Sequence, residues 1–133
     1  MRDRILIEGF TPTEILHFPP EEIALYFDKP LVLHIGTAEV LSTFRRVGQR
    51  LVVELGHIDG GGEGVLPTLW LLATRYAAQQ GLEEVEWIVH AVSCATPNLK
   101  LRRVLERRGF VVKEVTGVGF AYHRLQPVPS LTG

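Results

Sequence analysis

The apolar positions along the chain change period several times, and each change marks an element. Ile5-Leu6-Ile7 and Leu31-Val32-Leu33-His34-Ile35 are too brief for helices and stop near Gly9 and Gly36, so they read as strands. Residues 39–46 are rich in branched and aromatic side chains. After a turn at Val47-Gly48-Gln49-Arg50, Leu51-Val52-Val53-Glu54-Leu55 gives a further strand. Turns this short favour an antiparallel meander. Residues 66–80 carry Leu69, Leu72, Ala73, Tyr76 and Ala77 at helical spacing. That helix tolerates Pro67 in its first turn and stops at Gly81. Residues 85–92 are apolar at nearly every position, as in a strand covered on both faces.

The remaining periodic segments are shorter. Thr11 caps a turn that opens on Pro12, with Glu14 three residues after the cap, and Pro19-Pro20 ends it. Glu21-Glu22 open a second short helix with Ile23, Tyr26 and Phe27 on one face, stopped by Lys29-Pro30. Thr96 caps a later amphipathic helix whose first residue is Pro97. Leu101 and Leu105 fall on its buried face, Lys100, Arg103 and Arg107 fall elsewhere, and Gly109-Phe110 closes it. Arg102 and Arg108 add to its basic surface, which reads as a solvated helix face. Residues 110–115 and 118–125 form a last pair of strands around Thr116-Gly117. The elements predict a single α/β domain of the α+β kind over residues 1–125, with a loosely ordered tail over 126–133.

Composition supports that reading without redirecting it. At 133 residues, 46% hydrophobic and 22% charged, the chain has the size and balance of one globular domain. A net charge of -1 gives no overall attraction to nucleic acid. Cys94 is the single cysteine, so no intrachain disulfide forms. The N-terminal apolar run is too short for a secretory signal, and no stretch approaches a membrane span, which makes the cytoplasm the expected location. The histidines are scattered without metal-ligand spacing, so no metal is expected.

Candidate chemistry gathers around Ile58-Asp59-Gly60-Gly61-Gly62-Glu63-Gly64, between an apolar strand and the clearest helix. Glycines remove Cβ atoms from a bend and let a ligand reach main-chain N–H groups, which favours an anion, although Asp59 and Glu63 oppose one. Strand, glycine turn, helix and strand make a βαβ unit with the turn at the carboxyl end of its first strand, where open sheets bind ligands. Glu54 and His57 are the candidate bases there. Regular alternation sets them on opposite faces, and a bulge would change that. His90, Ser93 and Cys94 end the next strand; a His90–Cys94 nucleophile pair has no third group to orient it.

The element order and two motifs resemble those of the GNAT N-acetyltransferases. The family signature Arg/Gln-x-x-Gly-x-Gly/Ala falls on Asp59 to Gly64, where Gly62 and Gly64 match and Asp59 stands at the leading position. The family's Asn-x-x-Ala-x-x-x-Tyr-x-x-x-Gly-Phe helix matches at Asn98, Gly109 and Phe110, with Leu105 at the tyrosine position. The resemblance implies a GNAT-like mixed, mostly antiparallel sheet of about six to seven strands flanked by about four helices. It further implies direct acetyl transfer from acetyl-CoA to an amine, small molecule or protein, with Glu54 or His57 as base. The coenzyme pyrophosphate would rest on Gly60, Gly61, Gly62, Glu63, Gly64 and Val65, the pantetheine beside Leu55, His57 and Ile58, and Asn98 would also border the coenzyme.

Two departures set an alternative beside this reading. A phosphate ~6 Å from Asp59 meets repulsion of ~3 kcal/mol at an effective dielectric of 20. Leu105 offers no proton for a departing thiolate. The alternative is a catalytically inactive protein of the same fold that serves as a ligand-binding or protein-interaction module. A homodimer is expected if the terminal strand, residues 118–125, presents an edge.

Overall fold

The computed structural model describes residues 5–7, 14, 17, 19–35, 38–59, 65–90 and 99–129. In chain order these form β1 (Ile5–Ile7), α1 (Pro20–Ile23) with a 3-10 turn (Ala24–Tyr26), β2 (Leu31–Ile35), β3 (Ala38–Val47) and β4 (Arg50–Asp59). Then come α2 (Val65–Gln79), β5 (Glu84–Val89), α3 (Leu99–Arg107), β6 (Val111–Val115) and β7 (Gly119–Pro127). All seven strands join one sheet in the order β1-β2-β3-β4-β5-β7-β6. Only β4 and β5 pair in parallel; every other neighbour is antiparallel. This is the mixed, mostly antiparallel α+β sheet that the resemblance implies.

One face of the sheet holds the main core. Leu51, Val53 and Leu55 of β4 and Val85, Trp87 and Val89 of β5 pack beneath Leu66, Leu69, Ala73 and Ala77 of α2, with Leu105 and Phe110 from the α3 region. Each of the leucine, valine and phenylalanine side chains among them contributes about 1.5–3 kcal/mol on burial. Both helices stop by the same device. Leu82 donates to the Ala77 carbonyl at 2.9 Å across Gly81, and Phe110 to the Leu105 carbonyl at 3.0 Å across Gly109. The glycines stand at φ +70° and +84°, where a Cβ is strained.

The opposite face carries a smaller cluster, Val52, Ile88 and Ala121, with Val115 and Val118 packed against it. Beside it that face carries Arg45, Arg50, Glu54, Glu84, Glu86 and His123. β5 is therefore apolar on its helix side, whereas Glu84 and Glu86 stand half-buried on the other.

Three expectations change. β4 runs to Asp59 rather than ending at 55, because β3 continues to pair with it. β7 ends at Pro127, two residues beyond the expected 125, so residues 126 and 127 belong to the sheet. Gln126 is buried, accepts from Trp87 Nε1 at 3.0 Å and donates to Thr74 Oγ1 at 2.9 Å. Val128 N donates to the Glu83 carbonyl at 2.8 Å. Finally, β7 lies between β5 and β6 and is no edge; β1 and β6 are the outer strands. The helix expected after Thr11 and the start at Thr96 lie largely outside the described residues. Among the described residues, no helix is long and apolar enough to cross a membrane.

Candidate active site

The parallel ladder between β4 and β5 runs from Arg50 opposite Glu84 to Leu55 opposite Val89. One further bond, His90 N to the Leu55 carbonyl at 2.9 Å, closes it. Beyond that point β4 continues to Asp59 against β3. The same place carries a bulge. Ser42 pairs with Leu55 and Leu41 with His57, so Gly56 is the extra residue. An inserted residue shifts strand parity by one. Positions 54 and 57 are thereby in register with Thr43 and Leu41, which stand two apart on β3 and so share one face of that strand.

Glu54 is the centre of that face. Its Oε2 lies 2.7 Å from His90 Nε2, and its Oε1 accepts from Arg45 at 3.1 Å. Burial pushes its carboxyl pKa up, but the hydrogen bonds from His90 and Arg45 outweigh this and hold it below the ordinary value. An ionised carboxylate only accepts, so His90 donates to it from Nε2.

A second line of the same composition lies beside it. Arg50 donates to Glu84 and Glu86 at 3.1 and 3.0 Å, and Glu86 Oε2 is 2.8 Å from His123 Nε2. Glu86 is likewise held low by His123 and Arg50 against the upward push of burial. Arg50 is raised in turn by these two carboxylates. Beneath the bulge on the helix side, Ser42 is 1% exposed and its hydroxyl has no hydrogen-bond partner among the described residues.

The structure thus keeps Glu54 near the carboxyl end of the paired strands and joins it to His90; Cys94, the other half of the pair considered above, lies outside the described residues. Leu55 is 1% exposed, within the core under α2. His57 and Ile58 belong to β4, and their side chains lie outside the described residues, as do Gly60, Gly61, Gly62, Glu63, Gly64, Ser93, Cys94 and Asn98. Val65 is the first residue of α2, directly after the glycine turn. Leu105 is fully buried, so the tyrosine position of the family motif is core here. Among the described residues, no three His, Cys, Asp or Glu side chains are grouped to hold a metal.

Sequence reasoning named His90 but missed its bond to Glu54, and missed Arg45, Glu86 and His123 altogether. The available sign was parity. Once β4 and β5 are taken as parallel and in register, even-numbered residues of both share the face away from Leu51, Val53 and Leu55.

Solved structures of N-acetyltransferases resemble the chain at low sequence identity. Nourseothricin acetyltransferase matches at 21% identity and a TM-score of 0.46, covering 75% of this chain; the chain spans 65% of that protein. The PaiA N-acetyltransferase of Thermoplasma acidophilum, solved with coenzyme A, matches at 12% identity and a TM-score of 0.46, covering 90% and 98% of the two chains. A GNAT-family acetyltransferase of Streptococcus pneumoniae matches at 14% identity and a TM-score of 0.43, covering 94% and 99%. No protein-family model and no curated protein matches the chain.

Proposed function

We infer that the chain is an acetyl-CoA-dependent N-acetyltransferase in which His90, oriented by Glu54, is the base for the acceptor amine. The observation that carries this is the 2.7 Å Glu54–His90 pair beside the last rung of the one parallel strand pair. Glu54 is too acidic to be a good base itself, since His90 and Arg45 stabilise its charge. It instead fixes the imidazole through Nε2, and its negative charge faces the positive charge that develops as the amine gives up its proton. Arg45 keeps Glu54 ionised throughout.

The start of α2 suits the coenzyme. Val65, Leu66 and Thr68 carry N–H groups in its first turn, Pro67 does not, and helix N-termini attract phosphate. These groups and the glycine turn would hold the pyrophosphate, and the backbone of residues 55–58 the pantetheine. When bound, the coenzyme supplies an acetyl thioester activated for attack by an amine. The acceptor is an amine of a small molecule or a protein.

Calorimetric titration with acetyl-CoA, followed by acetyl transfer to a panel of amines, tests the proposal. Binding is expected, and Glu54→Gln should lower kcat by about 10²-fold or more with little change in coenzyme affinity. Absence of binding at about 1 mM acetyl-CoA would sink the proposal. Leu105 favours a second reading: with core at the tyrosine position, the fold serves as a non-catalytic binding module. It predicts an intact fold, no acetyl transfer, and no effect of Gly62→Arg on biological activity.

A further inference from the structure

Arg45 and Arg50 each reach a carboxylate within 3.1 Å. Arg107, Arg108 and Arg124 converge at the turn from α3 to β6, and among the described residues none of them meets a carboxylate in an ion pair. They line a recess of about 630 Å³ together with Val111, His123 and Leu125. No acidic side chain contributes to its lining.

Two of these guanidinium groups are held in place. Arg124 lies over the Trp70 ring at 4.9 Å and donates to the Arg108 carbonyl, while Arg108 lies over the same ring at 5.8 Å. Trp70 is itself stacked on the fully buried Trp87 at 5.2 Å. The indole pair therefore fixes two like charges close together, on a rigid floor. Arg107, exposed on the last turn of α3, adds a third. His123 is committed to Glu86 at 2.8 Å. The remaining wall is apolar: Val111 is 60% exposed and Leu125 43%.

Fixed, unneutralised guanidinium groups beside an exposed apolar wall suit an anion attached to an apolar body. We propose that this recess binds an organic phosphate, its phosphate on Arg107, Arg108 and Arg124 and its apolar part on Val111 and Leu125. The site is distinct from the Glu54–His90 pair in that none of its lining residues is Glu54, His90 or Arg45. It does not depend on the acetyltransferase reading.

Phenyl phosphate, inorganic phosphate and the variants Arg107→Ala and Arg103→Ala test it by calorimetry on the full chain. Arg103 is exposed on the same helix but does not line the recess, so its variant removes equal charge elsewhere. The expected result is that phenyl phosphate binds more tightly than inorganic phosphate. Arg107→Ala should weaken it by about tenfold, the loss of one charge-assisted contact. Arg103→Ala should change it by less than about twofold. The proposal is overturned by no binding at about 10 mM phenyl phosphate. Equal affinity for the two phosphates, or equal weakening by the two variants, overturns it as well. Thermal unfolding of both variants checks that the fold is retained.

Discussion

At the scale of single residues, the open face of the sheet is built from two Arg–Glu–His lines, and both carboxylates are held ionised. For Glu86, burial pushes the pKa up and the bonds from His123 and Arg50 bring it below the ordinary value of 4.5. The unfolded chain then binds a proton on Glu86 at a pH where the folded chain does not, so stability rises with pH across that window. The contribution is complete above about pH 4.5 and is lost as pH falls through the lower folded value. Replacing Glu86 by Gln removes this term. Urea unfolding between pH 3 and pH 6 should show a wild-type stability that falls more steeply toward acid than that of Glu86→Gln. Parallel curves would mean that Glu86 gains nothing from His123 and Arg50. Both histidine lines were hard to read in the sequence because Glu54 is 36 residues from His90 and Glu86 is 37 from His123. Their meeting depends on strand register, which no local pattern encodes.

Element boundaries follow the same division between local and distant causes. The apolar repeat of α2 is complete within its own sequence, and the expected 66–80 lies one residue from Val65–Gln79 at each end. β4 was legible only to Leu55, since Gly56-His57-Ile58-Asp59 has no apolar run and β3 supplies its partners. The bulge at Gly56 has no sequence sign beyond the glycine. The end of β7 is a third case, because polar Gln126 looks like tail until its partners are seen. It bridges Trp87 on β5 to Thr74 on α2, and Thr74 Oγ1 in turn donates to the Trp70 carbonyl at 2.7 Å. Gln126→Leu keeps similar bulk but strands the buried indole N–H, at a cost of about 1–3 kcal/mol. Thermal unfolding should register this as a fall in Tm of about 3–10 °C. An unchanged Tm would show that the terminal residues of β7 add nothing to the core.

For the whole molecule, the outer strands decide how copies meet. The expected edge, residues 118–125, is interior, so a sheet-extending dimer on this side would have to use β6, Val111-Val112-Lys113-Glu114-Val115. Every residue of β6 is at least partly exposed, and Val111 and Val112 are 60% and 51% exposed. Such an edge invites pairing unless something opposes it. A twofold axis perpendicular to the sheet relates the two strands of an antiparallel edge dimer, so directly opposed residues must share a face. Of the two registers centred on the middle of β6, one therefore sets Lys113 opposite its own mate and the other sets Glu114 opposite its mate. Like charges directly opposed are destabilising across a strand pair. The two charges act as guards on an otherwise valine strand. Wild-type protein should therefore show no β6-mediated dimer in sedimentation velocity at about 100 µM, whereas Lys113→Val with Glu114→Val should associate as concentration rises. Identical sedimentation of the two proteins across that range would remove the charges from the account of this edge.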